Sequence, residues 1–417
     1  MSIWRVMGER PLNGGLRVQG AKNSVLPIMA AAILAGCETE LLNCPDLSDV
    51  GASINILKHL GCEVQRQEDV VSIDSNGLCR SHIPHVLMRE MRSSVIFLGA
   101  ILARCGEAVL SMPGGCELGP RPIDLHLKAL EAFGARITEH GGNIQCVADR
   151  LVGTHINLGL PSVGATENSM LAACTAEGET VITNAACEPE IVDLQNFLRA
   201  FGAEVAGAGT PTIIVNGFRP RKNVGYRIMP DRIVAATMLS AAAAAGGDIE
   251  LSAVAPDTFE TVTGALEGMG CVIHRRSNSV RLISNGKLKA GKPIITQPYP
   301  GFPTDAQPTL MAACLKAEGT TVFVENIFEN RFRHVGELRR LGADIRTELR
   351  VAMVTGVSSL HAAPVATTDL RGGAALVIAA LSAEGETEIH DTGHIDRGYE
   401  NLDTQLNDLG AEITKEQ

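Results

Sequence analysis

A step in which leucine, phenylalanine or methionine is followed by glycine and then alanine or cysteine recurs six times along this chain. It reads LKHLGCEV, LEAFGARI, LRAFGAEV, LEGMGCVI, LRRLGADI and LNDLGAEI. Its glycines, Gly61, Gly134, Gly202, Gly270, Gly342 and Gly410, stand 68 to 73 residues apart. A second marker, an alanine-rich run ending in glycine, keeps the same period: PIMAAAILAG, IFLGAILARCG, SMLAACTAEG, TMLSAAAAAGG, TLMAACLKAEG and LVIAALSAEG. Its glycines are Gly36, Gly106, Gly178, Gly246, Gly319 and Gly385, spaced by 66 to 73 residues. Two independent markers on one period define six copies of one supersecondary unit.

Each unit reads as alanine-rich helix, strand, turn, amphipathic helix, strand, strand. The glycine after each helix is a stop signal. The alanine-rich helices are apolar nearly all round, so they are expected to be buried with sheets wrapped about them. With 45% hydrophobic but only 3% aromatic residues, the cores must be built from Ala, Val, Leu and Ile. The sixth unit stops at GAEITKEQ, where the others continue into a further strand. IWRVMGERPLNGGLRVQG, at the other end, supplies the missing piece, so residues 1–21 are expected to complete that unit. Two domains are then expected, 22–229 and 1–21 plus 230–417. Each would be pseudo-threefold, with two crossing connections and a site that closes by domain movement. The period alone suits an open binding scaffold equally well.

The net charge of −11 disfavours a general nucleic-acid binder, and an anionic ligand would need a local cationic pocket. The 11 cysteines are scattered with no C-x-x-C pair, which reads as reduced thiols in a cytosol. No apolar run approaches the ~20 residues of a membrane span, and MSIWRVMGERPLNGG lacks a signal-peptide core.

Chemistry is concentrated at the helix starts. GAKNS holds Lys22 and Asn23, MRSS holds Arg92, and SVGATEN holds Ser162, Gly164 and Glu167. MPDR holds Asp231 and Arg232, FPTD holds Asp305, and DLRGG holds Arg371. Helix N-termini are anion sites. Thr166, Thr304 and Asp369 are ordinary capping types. A lysine or arginine there is unfavourable unless an anion accompanies it, so Lys22, Arg92 and Arg371 carry more weight. Arg121, Arg331 (in ENRFRH) and Arg397 (in HIDRGYE) complete a cationic set. Asp305, in YPGFPTDAQP, reads either as a cap near Pro303 or as a base for a substrate hydroxyl. Cys116 sits on a Pro-Gly-Gly turn in PGGCELGPRPIDLH, presented rather than buried, with Arg121 near enough to lower its pKa. No second ligand has metal spacing, and a phosphatase loop would need Cys-x5-Arg where this chain has Cys-x4-Arg. A general acid or a nucleophile remains.

GAKNSVLP, PGGCELGPRPIDLH, SVGATEN, YPGFPTDAQ, ENRFRH, DLRGGAALVIA and HIDRGYE, in that order, resemble the UDP-N-acetylglucosamine 1-carboxyvinyltransferases, enolpyruvyl transferases of peptidoglycan synthesis. The resemblance spans essentially the whole chain. It implies an α/β protein: a two-domain inside-out α/β barrel of six repeats of about 70 residues, its buried helices surrounded by sheets. It implies that Lys22 and Asn23 hold phosphoenolpyruvate, with Arg121 and Arg397 on its phosphate side, and that Arg92 lies along the nucleotide-sugar path. Arg121, Pro122, Ile123, Asp124 and Leu125 would hold the uridine, with Ser162, Val163 and Gly164 near the diphosphate. Asp305 and Ile327 would contact the sugar, and Asp305 would help remove the proton of its 3-hydroxyl. Arg331 and Arg371 would hold carboxylate and phosphate charge. Cys116 would protonate the enolpyruvyl methylene and can form a covalent adduct there. The chemistry needs no cofactor and no metal.

The resemblance further implies a cytoplasmic enzyme with no nucleic-acid or membrane partner. A monomer is the expectation, although the chain does not set its oligomeric state. Val234, Ala306, Pro308 and Gly393 depart from the family pattern. The rivals are the 3-phosphoshikimate 1-carboxyvinyltransferases, which lack the Pro-Gly-Gly-Cys loop, a non-catalytic nucleotide-sugar sensor, and an RNA-end-processing enzyme on a related repeat fold.

Overall fold

The computed structural model describes residues 2–91, 93–111, 123–218 and 222–416. These fall into two compact units. The described residues of one lie in 20–111 and 123–229, and those of the other in 2–19 and 230–416. Each unit has its own hydrophobic core.

At the centre of each unit stand three helices that touch one another. They are Lys22–Ala35, Phe97–Cys105 and Val163–Ala173 in the first, and Arg232–Ala245, Gln307–Ala313 and Leu370–Leu381 in the second. Every residue of Lys22–Ala35 except Asn23 is buried. The small alanine side chains let such helices approach closely, and a helix apolar on all faces is stable only when surrounded. The amphipathic helices of the repeats, such as Ser48–Leu60 and Pro189–Ala200, lie outside them with one face buried.

Around the central helices run four-stranded sheets, three to a unit, all with one order. The strand after the central helix, as in Glu38–Leu42, Glu179–Thr183 or Thr320–Val324, buries alternate residues, as a sheet with one wet face requires. It is antiparallel to the last strand of its repeat, which pairs in turn with the middle one. On its other side lies a parallel strand from just before a central helix, which the sequence reading missed. Some are only two residues long, as in His82–Ile83, Ile294–Ile295 and Val365–Ala366. Each unit closes on itself. Val224–Arg227, at the end of the third repeat, pairs with Glu38–Leu42 of the first.

The N-terminus is divided between two sheets. Ser2–Met7 lies between Glu386–Asp391 and Glu412–Glu416, antiparallel to both, and completes the sixth repeat. Leu12–Arg17 pairs in parallel with Gly247–Ser252 of the fourth, just as Val224–Arg227 at the end of the third repeat pairs with the first. Both N-terminal strands thus stand where the last two strands of the third repeat stand in the other unit, as the sequence led one to expect. The chain passes between the two sheets at Gly8, where a Cβ would fall 1.8 Å from the carbonyl oxygen of Ala383.

All twelve marker glycines have positive φ. At Gly61, φ is 105° and a Cβ would lie 2.6 Å from the carbonyl oxygen of Gly77, so the helix stop admits glycine alone. Gly36, Gly106 and Gly246 directly follow their helices. The helices before Gly178 and Gly385 stop earlier, at Ala173 and Leu381, and the one before Gly319 tightens into a 3-10 turn, Cys314–Lys316. The described cysteines form no disulfide. Among the described residues no helix is long and apolar enough to cross a membrane.

Candidate functional site

In the unit of residues 2–19 and 230–416, the starts of the helices gather charge. Asp305 lies in the 3-10 turn Thr304–Ala306 that leads into Gln307–Ala313. One oxygen of its side chain lies 3.2 Å from a guanidinium nitrogen of Arg331 and the other 3.1 Å from one of Arg371. Both arginine side chains are almost wholly buried, at 1% and 2% exposure, while the carboxylate keeps 27%. Arg331 also donates to the carbonyl of Thr304 at 2.8 and 3.2 Å, and its ring neighbour is Phe328.

Asp369 closes the group. One of its oxygens accepts from the N–H groups of Arg371 and Gly372 at 3.1 and 3.0 Å, capping Leu370–Leu381, and the same oxygen stands 3.9 Å from Arg331. Burial raises its pKa, but Arg331, His334 and the hydrogen bonds from the Gly372 N–H and Thr368 outweigh that and hold the carboxyl below its ordinary value. Arg371 lies over the ring of Tyr399, whose hydroxyl meets Thr237 at 2.9 Å. Among the described residues, the Nε and one terminal nitrogen of Arg371 are buried and meet no hydrogen-bond partner within bonding geometry. A buried guanidinium with unsatisfied donors is costly, and an incoming anion would satisfy them.

Glu325 shapes the neighbouring turn. It accepts from Thr304 and from the N–H groups of Ile327 and Phe328, and Ile327 stays 37% exposed. His334 donates from Nδ1 to the carbonyl of Arg331 at 3.1 Å, and burial lowers its pKa to about 4, so the ring is neutral. Arg397 ends the 3-10 turn Ile395–Arg397. That turn is anchored by Asp391, fully buried, which accepts from the N–H groups of His394 and Ile395 and from Thr367. Asp231 caps Arg232–Ala245 through the N–H groups of Ile233 and Val234.

In the unit of residues 20–229, Lys22 opens its helix beside a counter-ion the sequence did not single out. Its Nζ lies 2.7 Å from Asp49, with side-chain exposures of 10% and 1%. Asn23 is partly exposed beside it. Ser24 bonds to the buried Asp193, which also accepts from Tyr226 at 2.6 Å and from the N–H of Met229 at 3.2 Å. Ser162 caps Val163–Ala173 through the N–H of Ala165, which places Ser162, Val163 and Gly164 at one helix start. Glu167, one turn on, is buried, and burial with like charge from Glu190 and Glu188 pushes its carboxyl well above the usual range. Ile123, Asp124 and Leu125 begin the helix Asp124–Ala132, where Asp124 pairs with Lys128 at the surface. Cys116, Arg92, Arg121 and Pro122 lie outside the described residues.

The structure thus brings Asp305, Arg331 and Arg371 into one cluster and sets Lys22 beside Asp49. The cations at these helix starts do meet anions, as the sequence required, but those anions are carboxylates of the chain itself. Sequence reasoning missed Asp49 and Glu325, and it saw Asp369 only as a cap. Asp49 and Lys22 are 27 positions apart, with no local pattern joining them. Val234 and Ala306 lie in the hydrophobic core and Pro308 is buried, and Gly393 takes a positive φ with open space about it. None of the four displaces a charged group of the cluster.

The sequence profile of the EPSP synthase (3-phosphoshikimate 1-carboxyvinyltransferase) family matches residues 6–406. The chain is 47% identical over 415 residues to UDP-N-acetylglucosamine 1-carboxyvinyltransferase 2 of Caldanaerobacter subterraneus subsp. tengcongensis, covering 100% of both. It is 49% identical over 416 residues to UDP-N-acetylglucosamine 1-carboxyvinyltransferase 1 of Symbiobacterium thermophilum, covering 98% of this chain and 94% of that one. Its fold matches the enolpyruvyl transferase NikO of Streptomyces tendae with a TM-score of 0.89 at 25% identity, over 100% and 99% of the two chains. EPSP synthase of Acinetobacter baumannii shares the fold at a TM-score of 0.75 and 21% identity. With six repeats wound into two units, a carboxylate held between two buried arginines and full-length relatives at this identity, the chain belongs to the UDP-N-acetylglucosamine 1-carboxyvinyltransferase family of enolpyruvyl transferases.

Proposed function

We propose that this protein transfers the enolpyruvyl group of phosphoenolpyruvate to the 3-hydroxyl of UDP-N-acetylglucosamine with release of phosphate, as a cytoplasmic step of peptidoglycan synthesis. The observation that carries the reading is the partly exposed Asp305 carboxylate between two buried guanidiniums, one of which has two nitrogens without a partner among the described residues. A carboxylate so placed can take a proton, and arginines so placed can take an anion. Arg331 and Arg371 hold carboxylate and phosphate charge. Once a substrate anion draws on the arginines, their hold on Asp305 weakens and the carboxylate is free to act as base.

The remaining roles follow the family pattern. Lys22 and Asn23 hold phosphoenolpyruvate, with Arg121 and Arg397 on its phosphate side. Arg92 lies on the nucleotide-sugar path. Arg121, Pro122, Ile123, Asp124 and Leu125 hold the uridine, Ser162, Val163 and Gly164 the diphosphate, and Ile327 the sugar. The Cys116 thiol gives its proton to the methylene carbon, and the adjacent carbon becomes oxocarbenium-like. The sugar oxygen attacks that carbon while Asp305 takes the hydroxyl proton. Phosphate then leaves with cleavage of its C–O bond, and loss of a methyl proton restores the double bond. Fixed positive charge over phosphate and carboxylate lowers the barrier to both steps.

The test is phosphate release from phosphoenolpyruvate with UDP-N-acetylglucosamine, with shikimate 3-phosphate and with neither. Release with the nucleotide sugar alone is the expected result. Release with shikimate 3-phosphate instead, or with neither acceptor, would overturn the reading.

A further inference from the structure

His126 carries a polar group at the start of Val163–Ala173 that none of the roles above uses. It lies in the first turn of Asp124–Ala132, is only 7% exposed, and its Nδ1 is 2.8 Å from the amide nitrogen of Asn168. The rest of the Asn168 amide is fixed by its backbone partners. Its oxygen accepts from the N–H of Gly99 at 2.6 Å, and its nitrogen donates to the carbonyl of Val95 at 3.0 Å. A backbone N–H only donates and a carbonyl only accepts, so the amide cannot be turned over. Its nitrogen therefore faces His126 as a donor, Nδ1 must accept, and the proton of the neutral ring sits on Nε2. Burial favours the neutral form as well, lowering the pKa to about 4.

That Nε2–H has no hydrogen-bond partner among the described residues. The edge of the ring carrying it is turned toward Gly164, where a Cβ would lie 2.9 Å from Cε1 and 3.2 Å from Nε2. Glycine at 164 is what lets the ring come this close. The first N–H groups of the same helix have no partner within it, so an anion at this point would meet the helix end and the imidazole together.

We propose that His126 donates from Nε2 to a phosphate oxygen of a nucleoside diphosphate at this helix start, with Asn168 as the positioning residue that fixes its tautomer. The proposal rests on the nucleotide-sugar reading given above.

Titration calorimetry with UDP alone tests it on the wild type, His126→Leu and His126→Gln, since glutamine can offer an N–H near the Nε2 position. His126→Leu should weaken UDP binding about tenfold or more, the range of a hydrogen bond to a charged group, and raise the KM for the nucleotide sugar in proportion. His126→Gln should recover most of the affinity. Nitrogen NMR of labelled histidine in the wild type should show the proton on Nε2 and a shift of that signal on adding UDP. Equal UDP affinity in all three proteins would overturn the proposal. So would equal loss in both variants, a wild-type proton on Nδ1, or an Nε2 signal unmoved by UDP. A wild type that binds UDP through His126 yet releases no phosphate with UDP-N-acetylglucosamine would defeat the transferase reading while the contact stands.

Discussion

Arg371 keeps its charge in the interior on the strength of three neighbours. Burial works against the charged form, but Tyr399, Asp305 and Asp231 outweigh it and hold its pKa above the ordinary arginine value. Its fork reaches Asp305 with one nitrogen and leaves two others without a partner among the described residues. Arg371→Lys retains a charge but not the fork, and should lower kcat/KM for phosphate release by about 10²-fold or more, read from steady-state rates. His334, in the same unit, makes a pH prediction with a definite sign. Its folded pKa of about 4 lies below the unfolded value near 6.5. Between those values the unfolded chain binds the extra proton, so this group's contribution to stability rises with pH and is lost as pH falls from about 6.5 toward 4. The slope approaches about 1.4 kcal/mol per pH unit for one group. Urea midpoints across that window should show a shallower pH slope for His334→Gln than for the wild type. Glu167, whose raised pKa acts with the opposite sign, is present in both proteins and drops out of the comparison.

Asp369 does two jobs for its helix, and substitution can separate them. Asp369→Ala removes the cap of Leu370–Leu381 and the charge facing Arg331, and should cost about 1–2 kcal/mol for the cap alone. Asp369→Asn keeps a capping oxygen and should lose less, as urea midpoints of the two variants would show. The central helices and the strands after them were legible because alanine-rich runs, glycine stops and alternating strands are local patterns. The parallel strands His82–Ile83, Ile294–Ile295 and Val365–Ala366 were not, since two residues carry no period. The site divides in the same way. Asp305, Arg331, Arg371 and Lys22 stand in recognisable motifs. Asp49 meets Lys22, and Asn168 meets His126, only because the fold brings distant turns together.

The two units have separate cores, and the chain's single tryptophan, Trp4, lies fully buried in the strand Ser2–Met7. Its fluorescence therefore reports on one unit, whereas circular dichroism reports on both. Val6→Ala, in the same strand, should destabilise that unit by roughly 2 kcal/mol. The fluorescence transition would move to lower urea while the dichroism component belonging to residues 20–229 stays in place. A single transition seen alike by both probes would show that the units unfold as one. The position of Ser2–Met7 also bears on how the protein is made. This strand leaves the ribosome about 400 residues ahead of one of its partners, Glu412–Glu416. At about 10 residues per second, some 40 s separate the two. Through that interval residues 20–229 can already fold, while a hydrophobic strand with both edges open waits for its sheet. The newborn chain is most exposed to aggregation, and most in need of a chaperone, at a strand made long before the partners that cover it.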